Sequence, residues 1–238
     1  PARKAVIPVA GLGTRMLPAT KAIPKELLPI YDRPLIEHVV KEAIDGGIRE
    51  IILITGSGKE AIENHFDAHY ELEHRLVKKG QDKILEDIVK IIPDEVKMSS
   101  IRQADALGLG HAILCAKHLI NDEPFAILLP DVLVLDKKIR EKSYSFLQLA
   151  NAWKNTGISQ VMVEQVDINN VEKYGIVDTI REKFSMFEST PISGLIEKPE
   201  PQDAPSNLAA LGRYILSPKI FALLENLKPG IGGEIQLT

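Results

Sequence analysis

Three features are scarce or missing in this sequence, and each absence disfavours a class of protein. The chain of 238 residues has a single cysteine, Cys115, so no disulfide framework can form within it and a reducing compartment is expected. No segment approaches ~18–20 consecutive apolar residues. The first residues, PARKAVIPVAG, lack the apolar core of a signal peptide. We therefore expect a cytoplasmic protein with no membrane partner.

An excess of positive charge is also missing. The formal net charge is −4, whereas nucleic-acid-binding surfaces are basic, so we expect no nucleic-acid partner. A small anion can still bind, because a few well-placed Lys and Arg side chains suffice locally. Hydrophobic residues make up 45% and charged residues 26% of the chain, a globular composition with enough length for one substantial core.

Short apolar runs alternate with helical periodicity through the first part of the chain. Strands are predicted at 4–9, 50–54, 97–103, 125–129 and 160–166, and helices at 35–46, 60–90 with a break at Gly80, 110–119 and 143–156. This alternation predicts an α/β fold, a Rossmann-like three-layer α/β/α arrangement around a mixed, mostly parallel sheet. Later strand-like segments at 174–180, 193–197 and 209–216 predict a small antiparallel extension that contributes a sugar pocket.

The first strand runs directly into a glycine loop, Ala10-Gly11-Leu12-Gly13-Thr14-Arg15. Glycines let backbone N–H groups come close to phosphate oxygens. Arg15 and, ten residues later, Lys25 supply positive charge. Ligands of open α/β sheets bind at the carboxyl ends of strands, so this loop is predicted to hold a nucleotide triphosphate.

Two commoner phosphate motifs do not fit this loop. A dinucleotide fingerprint requires glycine where Met16 stands, and the G-x-x-x-x-G-K-[ST] pattern does not occur. The residues about 20 positions further on, Tyr31-Asp32-Arg33, lie in a predicted loop and not at the end of a strand. A dinucleotide-binding oxidoreductase is therefore disfavoured.

A second glycine-rich segment, Gly108-Leu109-Gly110-His111-Ala112, follows Gln103. The amide of Gln103 offers both a donor and an acceptor, which suits the edge of a pyrimidine. Gly108 leaves backbone groups accessible to the other edge, and the N–H groups that open the following helix can face an anion. His111 is more often structural at such a position than a metal ligand.

A single carboxylate, Asp131, ends the apolar run FAILLPD. Mg²⁺ prefers oxygen ligands and usually takes one or two carboxylates together with substrate phosphates. Glu197-Lys198-Pro199 combines an acceptor for sugar hydroxyls with a cation for a phosphate, and Gly175 in Tyr174-Gly175-Ile176-Val177 lets the backbone approach a sugar ring.

The run AGLGTRMLPATKAIPKELLPI resembles the signature of the sugar-phosphate nucleotidyltransferases, and the similarity covers nearly the whole chain. The charged segment ENHFDAHYELEHRL resembles the uridylyltransferase branch of that family. The resemblance implies an enzyme that transfers a uridylyl group from UTP to glucose 1-phosphate with Mg²⁺, giving UDP-glucose and pyrophosphate. It also implies a homo-oligomer, a dimer or a tetramer.

The resemblance also implies roles for individual residues. Arg15, Lys25 and Lys198 are expected to be catalytic, and Asp131 to bind Mg²⁺. The residues expected at the nucleotide are Ala10, Gly11, Gly13, Thr14, Gln103 and Gly108. Those expected at the sugar phosphate are Gly175, Glu197, Lys198 and Gly212.

The same resemblance implies how the chain is organised, and it leaves two alternative functions open. We expect a single domain, with a nucleotide-binding half at 1–165 and a sugar-phosphate-binding half at 166–238. In the family, GEIQLT is normally followed by a second carboxylate and a further tail, whereas this sequence stops at Thr238. A dTTP-using thymidylyltransferase remains an alternative, as does a regulatory paralogue without catalysis, although the intact glycine loop, Lys25 and Asp131 disfavour the latter.

Overall fold

A computed structural model of the protein describes residues 1–134, 144–180, 185–230 and 233–237. Its main feature is an eight-stranded sheet in the order β5-β4-β1-β6-β10-β8-β9, with β7 also paired to β10. The strands are β1 (Lys4–Pro8), β4 (Glu50–Thr55), β5 (Lys97–Arg102), β6 (Phe125–Leu128), β7 (Gln160–Gln165), β8 (Gly175–Thr179), β9 (Ile192–Glu197) and β10 (Leu208–Leu216). A separate two-stranded hairpin joins β2 (Pro29–Ile30) to β3 (Arg33–Pro34).

Parallel and antiparallel strands occupy different parts of this sheet. The four strands β5, β4, β1 and β6 are mutually parallel. Strand β10 pairs antiparallel with β6, β7 and β8, and β8 pairs antiparallel with β9. The predicted α/β fold with a mixed sheet and an antiparallel extension is confirmed, and β10 makes that extension continuous with the parallel part.

The helices lie on both faces of the sheet. They are α1 (Leu35–Asp45), α2 (Glu60–Phe66), α3 (Tyr70–Lys78), α4 (Asp82–Val89), α5 (Leu109–Cys115), α6 (Lys117–Ile120), α7 (Tyr144–Thr156) and α8 (Ile220–Asn226). Successive residues of a strand face opposite sides. Accordingly Ala5 and Ile7 pack with α1 and α7, whereas Val6 packs with α5 and α8. No helix within the described ranges is long and apolar enough to cross a membrane.

The predicted elements match the structure except where short breaks occur. The long helix predicted at 60–90 is three helices in the structure. It is interrupted at Gly80, which has φ +65°, as predicted, and also at 67–69, where no break was predicted. The ring Nδ1 of His69 accepts a hydrogen bond from the N–H of Leu72 and so caps α3. The helix predicted at 110–119 is divided into α5 and α6, and the β2–β3 hairpin and α8 were not predicted.

Cys115 ends α5 beside the core that contains Val6. Its side chain is partly buried, and this burial raises the pKa of the thiol above its ordinary value. Cys115 therefore packs as a small hydrophobe, as free cysteines usually do.

Gly46, at the end of α1, provides a test of the core packing. A Cβ at this position would lie 2.2 Å from Cδ1 of Phe146, a side chain that is 0% exposed. We expect Gly46→Ala to lower the free energy of unfolding by about 1–3 kcal/mol, because the buried ring has to move. Urea denaturation measures this loss.

Gly194→Ala is the matched control. Among the described residues, no atom lies within 4 Å of the position that a Cβ on Gly194 would take. This variant should therefore change stability little, and an equal loss in the two variants would contradict the packing of α1 against α7.

Candidate active site

The glycine loop follows β1 at the carboxyl end of the parallel strands. Gly13 adopts φ +68°, which favours glycine, and precedes a 3-10 helix at Thr14–Met16. The hydroxyl of Thr20 donates to the carbonyl of Gly13 at 2.8 Å. The side chains of Thr14 and Arg15 are exposed, so this loop offers both backbone and charged groups to a ligand.

Lys25 lies directly against this loop. A Cβ on Gly11 would be 3.9 Å from Nζ of Lys25, and one on Gly13 would be 3.2 Å from the Cβ of Lys25. A side chain on either glycine would therefore take space beside the lysine. The fold thus packs the glycine loop around the cation that the sequence predicts to act with it.

Asp131 meets Lys25 from the neighbouring strand. Nζ of Lys25 lies 2.9 Å from Oδ2 of Asp131, although 106 positions separate them in the sequence. Their side chains are 17% and 41% exposed, so both can reach solvent or a ligand. The pairing of β1 with β6 brings the two loops together, because both strands end at the same edge of the sheet.

A buried ion pair holds the segment that carries Lys25. Glu26 is 0% exposed, and one of its carboxylate oxygens accepts a hydrogen bond at 2.9 Å from Nζ of Lys59, which is 5% exposed. Lys59 immediately precedes α2. This ion pair was not predicted from the sequence, since 33 positions separate the two residues and neither belongs to a periodic pattern that would have singled it out.

Gln103 and Gly108, the residues predicted to read the base, are in contact. Nε2 of Gln103 lies 3.2 Å from the carbonyl oxygen of Gly108 and 2.9 Å from Nδ1 of His111. Gln103 is 7% exposed. The imidazole of His111 therefore helps to fix the orientation of the Gln103 amide, which is the structural role favoured from the sequence.

The segment 233–237 closes the loop around Gly108. The N–H of Gly110 donates to the carbonyl of Ile235 at 2.7 Å, and the N–H of Ile235 donates to the carbonyl of Leu107 at 2.8 Å. Gly108 has φ +93°, and a Cβ there would lie 2.8 Å from the Ile235 carbonyl oxygen. The prediction that free N–H groups at this helix start face an anion is thus wrong for Gly110, whose N–H bonds to Ile235.

Three of the four residues predicted to hold the sugar phosphate come together on β8, on β9 and directly after β9. Gly175 is paired with Glu197 across these strands, and a Cβ on Gly175 would lie 3.1 Å from a carboxylate oxygen of Glu197. Lys198 has φ +48°, and its N–H donates to the carbonyl of Tyr174. Its Nζ lies 3.3 Å from Glu197. A cation and an acceptor therefore stand side by side next to a glycine that leaves space.

Gly212 has a different setting from the other sugar-site residues. It is buried in β10 with φ +66°, and a Cβ there would lie 2.8 Å from the side chain of Leu129. Its carbonyl accepts a hydrogen bond from the N–H of Leu129 at 2.9 Å. The structure thus places Gly212 against the segment that leads to Asp131, and a contact with the sugar stays a prediction.

Tyr214 is a buried tyrosine of β10 whose hydroxyl is affected by the charge of Glu197. It is 7% exposed, and β10 places it beside Ile127 of β6. Burial, together with the negative charge of Glu197, raises the pKa of the Tyr214 hydroxyl to about 12. Glu197, on β9, therefore lies within electrostatic reach of the strand next to β6.

Few side chains of the site could bind a metal ion. No group of three or more His, Cys, Asp or Glu side chains that could hold a metal ion occurs in the described part of the chain. Asp131 therefore offers one carboxylate at an accessible loop. This arrangement fits an ion such as Mg²⁺, most of whose ligands come from phosphates and water, and it does not fit a closed protein cage.

Comparison with known proteins decides the family. The profile of the family described as "Nucleotidyl transferase" matches residues 4–237. The chain belongs to this nucleotidyl transferase family. The enzyme class that the family resemblance implied is thereby confirmed.

Individual relatives of this nucleotidyl transferase are similar to it over nearly all of its length. The UTP--glucose-1-phosphate uridylyltransferase of Escherichia coli K12 is 50% identical over 236 residues, which are 99% of this chain and 78% of that protein. The UTP-bound UGPase of Acinetobacter baumannii has a TM-score of 0.91 at 46% identity, covering 100% of this chain and 80% of that one. A UDP-glucose pyrophosphorylase complexed with UDP-glucose has a TM-score of 0.84 at 39% identity, with 100% and 84% covered.

The raised pKa of Tyr214 predicts a pH dependence of stability. The hydroxyl ionises near pH 10 in the unfolded chain and near 12 in the folded one, so the folded state holds the proton more tightly. The contribution of this protonated hydroxyl to the free energy of unfolding is fully present below pH 10 and is lost as the pH rises towards 12. Between pH 9 and 11 the wild type should lose about 1 kcal/mol more stability than Tyr214→Phe.

Urea denaturation of both proteins at pH 8, 9, 10 and 11 measures this difference. Tyr214→Phe keeps the ring and removes only the ionising group, so the other tyrosines cancel in the comparison. Parallel pH profiles for the two proteins would show that Tyr214 titrates like an exposed tyrosine.

Proposed function

We propose that this nucleotidyl transferase makes UDP-glucose and pyrophosphate from UTP and glucose 1-phosphate. The observation that carries the proposal is the meeting of Lys25 with Asp131 beside the glycine loop. The relatives named for this reaction support the choice of substrates, because they are up to 50% identical over nearly all of this chain. Proteins bound to UTP and to UDP-glucose share the same fold.

The reaction needs no side-chain nucleophile. A phosphate oxygen of glucose 1-phosphate is already anionic and attacks the α-phosphorus of UTP in line. A new P–O bond forms as the bond to the bridging oxygen of pyrophosphate breaks, and that oxygen leaves with the electron pair. Catalysis then consists of positioning and of offsetting negative charge, as in other phosphoryl transfers.

The cations of the site suit that task. Arg15 and Lys25 flank the glycine loop and would offset charge on the transferring and leaving phosphates. Lys198, whose Nζ lies near Glu197, would align the attacking phosphate. The side chain of Lys25 is held in place by its ion pair with Asp131. It is also partly exposed, so a phosphate can still reach it.

The remaining polar and glycine residues would recognise the two substrates. The loop residues Ala10, Gly11, Gly13 and Thr14 would bind the triphosphate, and Gln103 with Gly108 would read the uracil edge. Glu197 would accept hydrogen bonds from sugar hydroxyls, while Gly175 and Gly212 would shape the space around the sugar. These assignments place the base at the end of β5 and the sugar next to β8 and β9.

Asp131 would hold a divalent cation, for which we propose Mg²⁺. When bound, the ion supplies neutralisation of phosphate charge. A single accessible carboxylate fits this ion, since Mg²⁺ usually shares one or two protein carboxylates with phosphate oxygens. The ion pair of Asp131 with Lys25 would hold the carboxylate aimed at the phosphates.

We propose a single catalytic domain, in which 1–165 bind the nucleotide and 166–238 bind the sugar phosphate. Strand β10 supports a single domain, because it pairs with strands of both parts. The protein would act in the cytoplasm as a homo-oligomer. Sedimentation of the purified protein measures the oligomeric state directly.

The base preference and the metal requirement can be tested together. Pyrophosphate release should be measured with each of four nucleoside triphosphates, in the presence of glucose 1-phosphate and Mg²⁺, with and without EDTA. We expect turnover with UTP that EDTA abolishes. Preference for dTTP would assign the thymidylyltransferase reaction, and no turnover despite UTP binding would favour a regulatory protein.

Replacement of Lys25 tests the charge-offset mechanism. We expect Lys25→Ala to lower kcat by roughly 10²–10³, by analogy with the loss of one donor to a developing oxyanion. Lys41→Ala is the control, since Lys41 lies on α1, far along the chain from the glycine loop, and pairs with nearby Asp45 at the surface. Near-wild-type turnover of Lys25→Ala would remove Lys25 from the mechanism.

A further inference from the structure

Arg213 is a fully buried cation that the reaction itself does not require. It lies in β10 and is 0% exposed. Its Nε and Nη2 donate to the two carboxylate oxygens of Glu42 at 2.9 and 2.8 Å. Glu42 lies on α1 and is 4% exposed. A bidentate ion pair therefore spans from β10 to a helix that packs on the sheet.

The remaining donors of Arg213 bind the backbone on either side of Asp131. Nη1 donates to the carbonyl of Leu129 at 2.9 Å, and Nη2 donates to the carbonyl of Val132 at 2.7 Å. The N–H of Leu129 is held by the carbonyl of Gly212. Both ends of the short segment that carries Asp131 are thus fixed to one guanidinium group.

The chemistry of this contact requires arginine in particular. A guanidinium carries five donors in a rigid planar fork, whereas a lysine ammonium is a single charge that cannot reach a carboxylate and two separate carbonyls with the same geometry. A buried ion pair is also a weak source of stability, because desolvation of both charges offsets their attraction. Stability alone therefore does not explain this arrangement, while the orientation of a loop does.

We infer that Arg213 is a positioning residue for Asp131, and that Glu42 orients Arg213 for this task. The inference rests on the proposed function, in which Asp131 holds the divalent cation. Arg213 touches neither substrate nor metal in this role. It sets the direction from which the Asp131 carboxylate faces Lys25 and the phosphates.

The test measures binding and not turnover. Mn²⁺ serves as the probe for the cation, and its binding to the full-length protein with UTP, without glucose 1-phosphate, is followed by electron paramagnetic resonance. Binding of UTP in EDTA is measured by calorimetry. We expect Arg213→Lys to weaken Mn²⁺ binding by roughly 10–100-fold, the usual effect of losing a residue that orients a metal ligand.

The same variant should bind UTP in EDTA within about twofold of the wild type. Within the described residues, the hydrogen bonds of the Arg213 side chain go to α1, to β10 and to the segment that carries Asp131, and none reaches the glycine loop or Gln103. A structural role alone would not produce this selective effect on the cation. Equal Mn²⁺ affinities of Arg213→Lys and the wild type would overturn the inference.

Three further variants keep the outcomes distinct. Lys4→Met removes another buried cation, one that donates to the carbonyl of Leu119 at 2.8 Å, and should leave Mn²⁺ affinity unchanged. Glu42→Gln should weaken Mn²⁺ binding in the same direction as Arg213→Lys but less, and it decides the question if Arg213→Lys does not fold. An unchanged affinity in Glu42→Gln would then overturn the inference.

Asp131→Asn separates the inference from the proposed function. If this variant loses Mn²⁺ and Arg213→Lys does not, the metal role of Asp131 stands and only the positioning role fails. If Asp131→Asn binds Mn²⁺ like the wild type, Asp131 does not hold the cation, and the metal part of the proposed function fails together with the role of Arg213.

Discussion

The candidate site depends on one constraint, the parallel pairing of β5, β4, β1 and β6. Parallel strands end at the same edge of a sheet, so the segments that follow them must share that edge. The glycine loop, Gln103 and Asp131 each follow one of these strands. Hydrophobic packing on both faces fixes the register of the strands, and that register decides which loops meet.

Two buried ion pairs further fix the positions of the segments at this edge of the sheet. Glu26 with Lys59 ties the segment that carries Lys25 to the start of α2, and Glu42 with Arg213 joins α1 to β10. Such pairs cost desolvation energy and demand good geometry. They therefore add little net stability but strongly restrict where their neighbours can lie. Lys25 and Asp131, which are proposed to act on one substrate, are neighbours of these two pairs.

Local patterns predicted most of the fold because the strands and helices have strong hydrophobic periods. Strands β1, β4, β5, β6 and β10 and helix α1 lie within two residues of their predicted bounds. The patterns failed where the deciding contact is distant or the element is short. The hairpin β2–β3 has only two residues in each strand, and the break before α3 depends on capping by His69.

The site shows the same division. Glycine loops and strand-end carboxylates leave local signals, so Gly11, Gly13, Lys25 and Asp131 could be singled out from the sequence and from its resemblance to a family. The residues that hold these groups in position could not be predicted in this way. Arg213 and Glu42 are 171 positions apart, and a contact at that separation depends on the whole topology of the sheet.

The hydrogen bonds between Ile235 and the loop at Leu107–Gly110 have a consequence for biosynthesis. A ribosome makes the glycine loop early, and it completes the parallel strands long before it reaches residue 235. The loop proposed to read the base gains its two backbone partners only when Ile235 emerges. A nascent chain can thus pair its parallel strands before this loop acquires those partners, so the two parts of the candidate site are completed at different times during translation.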